Sequence, residues 1–302
     1  MKIHRITDTP PLDLAPKLAD FEKEFIYPLG SSASFTISHG ADYSLFFRGM
    51  GKACVYLAET SGEIVGAQAV VERSVSLADG GEIPASYFCD TKIVSRMRGR
   101  MVLGRLAMAA CKDTLAAGIN AGFSVVMDGS KTTDQHTGRL GIPQFDELAR
   151  LVILRFDTAA EFKGFPIDAT RTIGNWHRPH GGDPAISSEM EPRELAVNGA
   201  SGLLVDTRRG KRLWKSDGTE MVSAHLTSLE FSSVSALSLL VQDALEVSHE
   251  MEIPGLFLAL PEKTLADEAL AKAVAGCATI AGATIFGTGL PEGDWMINTS
   301  EI

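Results

Sequence analysis

The same order of predicted elements occurs twice along the chain, and this repeat is the strongest constraint on its fold. In the first copy a strand precedes a helix over residues 101–117 and a short buried strand over residues 123–128. In the second copy a strand over residues 221–231 precedes a helix over residues 235–250 and a strand over residues 256–260. The two segments superpose with a constant shift of 134 positions, although few residues are identical. A repeated order at one offset predicts a duplicated domain.

Length and composition agree with two globular domains. The chain has 302 residues, of which 45% are hydrophobic and 22% are charged. At about 100 to 200 residues per domain, this length favours two domains over one, and the composition excludes a disordered or fibrous chain. Residues 164–199 are rich in Pro, Gly, His and Arg and have little periodicity. We therefore predict an N-terminal domain over residues 1–160 and a C-terminal domain over residues 161–302, with residues 161–199 as the linker.

Charge, cysteines and histidines argue against several classes of partner and cofactor. Acidic residues outnumber basic ones and give a net charge of -10, which argues against a nucleic-acid surface, so the basic run at residues 208–212 predicts a solvated turn. Four cysteines without a CxxC pair indicate neither a disulfide framework nor a zinc site, and His177 and His180 are an isolated pair in a polar linker. Without a signal peptide or an apolar segment of membrane-spanning length, we expect a cytoplasmic protein that binds no metal, membrane or nucleic acid.

Apolar periodicity predicts the remaining elements. In the first half it indicates a helix over residues 11–27, a short helix over residues 133–140, and strands over residues 1–6, 53–59, 64–74, 85–94 and 148–156. Residues 31–51 are rich in Gly, Ser and aromatic side chains and predict a loop with helical pieces. In the second half the pattern indicates a strand over residues 202–206, a helix over residues 265–281 and a final strand over residues 295–298.

A basic, glycine-containing turn precedes the first long predicted helix. It reads Arg96-Met97-Arg98-Gly99-Arg100-Met101, with Lys92 and Arg105 close by in an otherwise acidic chain. A helix N-terminus presents unpaired N–H groups and a partial positive charge, and glycine lets the backbone approach a phosphate closely. The turn therefore predicts a site for a pyrophosphate or phosphopantetheine group, although a solvated turn of paired arginines would have the same spacing.

The turn resembles the acyl-CoA-binding motif Gln/Arg-x-x-Gly-x-Gly/Ala of the GNAT acyltransferase superfamily. Arg96 and Gly99 match this motif, whereas Met101 departs from it, and the resemblance covers residues 1–157. It implies a mixed α/β fold of two GNAT-like domains, each a mostly antiparallel mixed sheet with a splayed central strand and flanking helices. It also implies that acyl-CoA is bound by Thr91, Lys92, Ile93, Arg96, Met97, Arg98, Gly99, Arg100, Met101 and Val102.

The second repeat resembles a degenerate copy of the first. It has Glu230 near the place of the basic turn, where a carboxylate would repel phosphate. The resemblance therefore implies that this repeat binds no CoA, and that it walls off the acceptor cleft or builds a homodimer.

Acyl transfer to an amine needs a group that accepts a proton from the nitrogen and a group that protonates the leaving thiolate. Residues 137–142 resemble the end of the family's fourth helix, but Thr137 stands where the family often has a tyrosine acid. We therefore predict that the neighbouring His136 is the acid or base, supported by Asp90 or Asp134; a surface histidine is the alternative. We interpret Cys89 as a small core residue rather than a nucleophile.

The resemblance implies an acyltransferase, most simply an acetyl-CoA-dependent N-acetyltransferase that acts on an amine of a small acceptor. Met101 crowds the turn, and the basic residues around it would also suit an acidic acyl carrier protein. A longer acyl-CoA or a carrier protein is therefore the alternative donor. A non-catalytic protein that binds acyl-CoA is the alternative from a different functional class.

Overall fold

The computed structural model describes residues 1–29, 33–165, 175–266 and 268–302. It contains a twelve-stranded sheet and a separate three-stranded sheet. The strands are β1 (Lys2–Ile6), β2 (Tyr27–Leu29), β3 (Ala33–Ser38), β4 (Lys52–Thr60), β5 (Glu63–Ser76), β6 (Glu82–Ile93), β7 (Ala121–Met127), β8 (Asp146–Asp157), β9 (Arg178–His180), β10 (Arg193–Val197), β11 (Ala200–Val205), β12 (Arg212–Lys215), β13 (Ala224–Phe231), β14 (Gly255–Pro261) and β15 (Ala278–Thr288). The helices are α1 (Ala15–Glu22), α2 (Leu45–Met50), α3 (Val102–Ala116), α4 (Val234–Glu250) and α5 (Glu268–Cys277).

The two repeats exchange their last strands. The large sheet has the order β1-β4-β5-β6-β7-β15-β8-β14-β13-β11-β10, with β9 paired to β5. β15, from the end of the second repeat, pairs antiparallel with β7 of the first. β8, from the end of the first repeat, pairs antiparallel with β14 of the second. Because β15 and β8 also pair with each other, one continuous sheet runs through both repeats.

Each repeat has its own apolar core, and each core includes side chains from the other repeat. The first core, beneath α3, contains Ile285 of β15 and Trp295. The second core contains Leu240 of α4 together with Leu154 and Phe156 of β8. Complete burial of an apolar side chain of this size contributes about 1.5–3 kcal/mol, so the exchanged strands stabilise both halves of the molecule.

The predicted duplication is confirmed by the element bounds. β14 lies 134 positions after β7, and α4 ends at Glu250, the same distance after the end of α3 at Ala116. The expected mixed α/β fold is confirmed as well, since the described strands of each repeat include one parallel pair, β6–β7 and β13–β14, within a mainly antiparallel sheet. The repeats differ between strand and helix: residues 94–101 join β6 to α3, whereas Ser232 and Ser233 alone join β13 to α4. The second repeat therefore has no room for a basic turn.

Strands β6 and β7 separate after a short ladder, as the resemblance implies. The ladder runs from the pair Ala85–Ala121 to the pair Tyr87–Phe123 and then stops. On its other side, β6 pairs with β5 through a bulge at which Asp90 has a positive φ of 48°. A bulge bends its strand locally and redirects the side chains next to it. The second half of β6 thus diverges from β7.

The first half contains less helix than the sequence predicts. Of the helix expected over residues 11–27, α1 covers only the middle, and Tyr27 already opens β2. The loop expected over residues 31–51 contains β3 and α2, and its first two residues lie outside the described residues. The short helix expected over residues 133–140 is a 3-10 turn at Thr133–Gln135, because Gly138 and Leu140 have positive φ angles that an α-helix does not contain.

In the second half, three expected elements differ from the structure. The helix predicted over residues 265–281 ends at Cys277, because Ala278 opens β15 and pairing with two strands overrides the helix propensity of the alanines. The strand predicted over residues 295–298 is reduced to a bridge between His177 and Trp295. The predicted linker contains β9 and β10, which pair with β5 and β11, while its residues 166–174 lie outside the described parts of the chain.

The basic run at residues 208–212 is not the solvated turn that the sequence predicts. Lys211 is buried, and Arg212 opens β12, which pairs with β3 of the first repeat. The chain approaches α2 closely at Gly210, where a Cβ would lie 2.8 Å from the Cα of Phe46. The run therefore joins the two repeats.

Candidate functional site

A cavity of about 670 Å³ lies in the gap between the diverging strands β6 and β7. Its walls are formed by β6 from Tyr87 to Ile93 and by β7 from Ser124 to Met127. Because the β6–β7 ladder stops at Tyr87, the peptide groups of β6 that face β7 beyond this residue have no strand partner in the described sheet. The cavity therefore offers a row of backbone donors and acceptors to an extended ligand.

The basic turn leads from this cavity to the N-terminus of α3. Gly99 has a φ of 78°, with open space where a Cβ would be, and Met101 has a φ of 59°. The first intrahelical bond runs from Arg105 N to Met101 O, and no side chain caps the helix. In the described chain, the N–H groups of residues 102–104 meet no acceptor. An open helix N-terminus of this kind attracts phosphate groups.

The predicted acyl-CoA residues fall into two groups. Thr91, Lys92, Ile93, Arg98 and Gly99 line the cavity. Arg96, Met97, Arg100, Met101 and Val102 belong to the turn and the start of α3 and do not line it. The Arg96 guanidinium is held by the carboxylates of Glu24 at 2.6 Å and Glu63 at 2.9 Å. Arg96 therefore fixes the turn through ion pairs, whereas Arg98 is directed to the cavity.

Asp90 is the centre of a buried polar cluster at the bulge of β6. Tyr43 Oη donates to Asp90 Oδ2 at 2.5 Å, and the Lys92 ammonium lies 2.6 Å from Asp90 Oδ1. Burial raises the pKa of Asp90, but Lys92, His39 and Tyr43 outweigh it, so that the pKa is lowered overall. Asp90 is thus a fixed carboxylate rather than a strong base. Nearby, His39 Nδ1 lies 2.6 Å from Glu22 Oε1 in a second buried pair.

His136 lines the same cavity from the β7 side, whereas Asp134 does not line it. Burial is the main cause that lowers the pKa of His136, and the charge of Arg139 adds to it, so the imidazole is neutral at neutral pH. In the described structure no hydrogen bond joins the His136 ring to Asp90 or Asp134. His136 and Asp90 therefore share the cavity without direct contact.

The structure also shows the surroundings of Thr137 and Cys89. The Thr137 hydroxyl donates to Thr133 O at 3.0 Å and accepts from Phe145 N at 3.2 Å, so that it holds the turn after β7. Cys89 also lines the cavity, but burial raises the pKa of its thiol well above the usual value. A protonated thiol is a poor nucleophile.

Sequence reasoning missed the contribution of the second repeat to this cavity. Lys211 lines it with Glu301 and Ile302. The Lys211 ammonium lies 4.3 Å from the centroid of the Phe46 ring and 2.5 Å from the backbone oxygen of Ile302. Burial lowers its pKa to about 8. The signal in the sequence was Gly210 within the basic run, because glycine occurs at close backbone approaches as well as in turns.

Two further features concern cofactors and membranes. Among the described residues, no group of three or more His, Cys, Asp and Glu side chains is arranged to hold a metal ion. None of the described helices combines the length and the apolar character needed to cross a membrane.

Comparison with known proteins shows a likeness of fold. No protein-family model matches the sequence, and no curated protein matches it either. The crystal structure of Saccharomyces cerevisiae N-myristoyltransferase with bound myristoyl-CoA is similar with a TM-score of 0.58 at 6% identity, over 94% of this chain and 82% of that one. A second structure of the same yeast enzyme gives a TM-score of 0.59 at 7% identity, over 96% and 79% of the two chains.

A GCN5-related N-acetyltransferase from Anabaena variabilis is also similar, with a TM-score of 0.49 at 11% identity over 95% of this chain and 72% of that one. The splayed pair β6–β7 and the recurrence of the same elements in the second half are the features that the GNAT resemblance implies. The chain therefore has a GNAT-type fold built from two tandem GNAT-like repeats.

Proposed function

We propose that the protein is an N-acyltransferase that takes its acyl group from acyl-CoA. The observation that carries this proposal is the continuity of the β6–β7 cavity with the uncapped N-terminus of α3. The pantetheine arm would lie along the free edge of β6, and the pyrophosphate would meet the N–H groups of residues 102–104 and the side chain of Arg98. The bound myristoyl-CoA of the yeast neighbour supports the same class of donor.

The proton transfers are assigned to the cavity side chains. Acyl transfer from a thioester to an amine requires a proton to leave the nitrogen and a proton to reach the departing sulfur. His136, neutral and facing the cavity, is the proposed group for one of these transfers, with Asp90 or Asp134 in a supporting role. Asp90, held by Tyr43 and Lys92, would orient the ligand rather than titrate during the reaction.

Acetyl-CoA is the simplest donor, and a longer acyl-CoA is the second candidate. The walls of the cavity include the rings of Phe25, Phe46, Phe47 and Phe88. An acetyl group would leave much of this aromatic surface uncovered, whereas each buried methylene of a longer chain contributes about 0.8 kcal/mol. A carrier-protein donor is supported by Arg98, Arg100 and Arg105, for which the described structure has no ion-pair partner.

The proposed acceptor is an amine of a small molecule, and the proposed location is the cytoplasm. All four cysteines are free thiols, which agrees with a reducing compartment.

Calorimetric titration with acetyl-CoA, longer acyl-CoA and free CoA tests the donor site. Gly99→Asp should lower affinity at least tenfold, because it places a carboxylate where the pyrophosphate binds. Gly118→Asp is the matched control, since Gly118 has the same φ of 78° and the same open surroundings at the other end of α3. A wild-type protein that binds no CoA ester, or equal affinities in the two variants, would contradict the proposal.

Turnover of the His136→Ala variant tests the proton-transfer role. We expect a loss of about 10²–10⁴-fold in kcat, with acyl-CoA affinity unchanged. Full turnover in this variant would remove His136 from the mechanism and leave the donor site intact.

A further inference from the structure

A second cavity, of about 390 Å³, lies between the repeats on the side of β9 and β13. Polar and apolar groups both line it, and its polar side chains include Arg73, Arg178, His180, Thr227 and Asn298. Glu301 lines this cavity and the β6–β7 cavity as well. Glu301 therefore borders both cavities.

The surroundings of Glu301 fix its side chain and leave one oxygen free. Arg73 Nη1 and Nη2 both lie 3.1 Å from Glu301 Oε1, and Asn298 Nδ2 donates to the same oxygen at 3.2 Å. Oε2 has no partner among the described residues. Tyr87 Oη donates to the backbone oxygen of Glu301 at 3.0 Å, and His225 Nδ1 lies 3.0 Å from Thr299 Oγ1 in the same turn.

Arg73 has an unused hydrogen-bonding position. Its side chain is 1% exposed, and Nη1 is outside hydrogen-bonding geometry with Glu301 and has no other acceptor in the described chain. A buried N–H without an acceptor is costly unless a ligand or water supplies one. Arg73 lines the second cavity, so a carbonyl or carboxylate oxygen bound there is the acceptor that we assign to this N–H, reached by a small shift of the guanidinium.

We propose that the second cavity binds the amine acceptor and that Glu301 is the catalytic residue that takes the proton from its nitrogen. This inference rests on the proposed N-acyltransferase function and adds the acceptor site to it. The acceptor is a small, polar primary amine that also carries a hydrogen-bond acceptor for Arg73. Its ammonium group pairs with Glu301 Oε2, at the boundary between donor and acceptor.

The reaction balances with Glu301 as the base for the ammonium and His136 as the carrier of the second nitrogen proton to the sulfur. Glu301 takes one proton from the ammonium, and the neutral amine attacks the thioester carbonyl. The N–C bond forms, the C–S bond breaks, and the second nitrogen proton ends on the departing CoA sulfur. The products are the amide, CoA thiol and the proton on Glu301, which passes to solvent.

The test compares Glu301→Gln with wild type in the full-length chain. Glutamine keeps an oxygen for Arg73 and Asn298 but cannot take the proton. With amino acids and ethanolamine as acceptors, release of free CoA should fall at least 100-fold, while calorimetric affinity for acyl-CoA stays unchanged. Glu72→Gln, at a half-buried residue of β5 that pairs with Lys52 and lines neither cavity, should retain wild-type turnover.

The choice of acceptor distinguishes a catalytic role of Glu301 from a merely structural one. Hydroxylamine is already unprotonated at neutral pH, so Glu301→Gln should lose far less activity with hydroxylamine than with ethanolamine, after subtraction of the reaction of hydroxylamine with the thioester in the absence of protein. An equal loss with both acceptors, or retained turnover with alkylamines, overturns the role of Glu301. If the variant does not fold, Glu301→Asp, which retains the carboxylate, takes its place and must show partial activity with unchanged acyl-CoA binding.

Failure of the proposed function gives a different result from failure of this inference. If the wild-type protein transfers acyl groups to no amine, hydroxylamine included, the N-acyltransferase function itself is wrong. If wild type is active and Glu301→Gln is equally active, only the acceptor site is wrong.

Discussion

Lys211 places a positive charge from the second repeat inside the cavity of the first. Burial is the main cause of its lowered pKa of about 8, while the charge of Asp90 raises the pKa in part. The ring of Phe46 and the backbone oxygen of Ile302 replace some of the lost water contacts, and a cation–π contact is worth about 0.5–2 kcal/mol. The folded state therefore carries this charge at a net cost, as functional sites often do.

We expect Lys211→Met to be more stable than wild type at pH 7, by up to about 3 kcal/mol, because one pKa unit corresponds to about 1.4 kcal/mol. Below pH 8 the lysine is charged in both states and the cost is complete. Between pH 8 and the unfolded value of 10.5, the unfolded state alone retains the proton, so wild-type stability rises. Urea denaturation should show the difference shrinking across this window. A variant less stable at pH 7 would contradict the expectation.

For single residues, the sequence indicates a location when it depends on neighbouring residues, but not when it depends on contacts with remote elements. Arg98 and Gly99 both line the cavity, because the turn and the helix N-terminus are neighbours in sequence; their binding of acyl-CoA stays a prediction. Arg96 differs, since its partners Glu24 and Glu63 come from remote elements. Glu301 was not predicted at all, because its place between the cavities depends on how the second repeat packs on the first.

The turn at Thr299–Glu301 is the element that carries the proposed acceptor base, and His225 of β13 holds it. The His225 ring lies against Phe257 with 5.5 Å between ring centroids and contacts Thr299. Burial, and then the charge of Lys211, lower the pKa of His225 to about 3. The imidazole is therefore neutral when the turn is in place.

This element should be sensitive to acid. Because the folded pKa of about 3 is below the unfolded value of 6.5, the unfolded state alone takes up the proton between these limits. Stability is then complete above pH 6.5 and is lost as the pH falls towards 3. His225→Gln should reduce the fall in Tm between pH 7 and about pH 4. The same pH dependence in variant and wild type would show that His225 does not titrate in this way.

The sequence predicts helices, strands and turns that local apolar spacing specifies. It does not predict an element that forms because it pairs with strands that are remote in sequence. The unit of β6, basic turn and α3 agrees with its predicted order, since apolar spacing and glycine specify it locally. The helix predicted over residues 265–281 ends at Cys277, and Ala278 begins β15, which pairs with both β7 and β8. Tertiary pairing outweighs a propensity difference of less than about 1 kcal/mol per residue.

For the whole molecule, the exchange of β8 and β15 makes the two repeats depend on each other. The sequence offset predicts the repeat but not the exchange of strands. The reason is that either β8 or β15 would satisfy the same apolar pattern as a partner strand. Ile285 of β15 is fully buried in the first core although it belongs to the second repeat. The proposed site also needs both repeats. The residues proposed to bind acyl-CoA come from the first repeat, whereas Lys211 and Glu301 come from the second.

The exchange predicts that the two cores unfold together. Ile285→Ala should lower the free energy of unfolding by about 2–5 kcal/mol. Both repeats should lose this stability equally, because β15 joins β7 to β8. Hydrogen exchange measured by mass spectrometry should give β5 and α4 the same largest opening free energy, and the variant should lower both by the same amount. Leu240→Ala in the second core is the reciprocal control and should also lower the protection of β5. A decrease confined to the core that carries the substitution would mean that the repeats unfold independently despite the shared sheet.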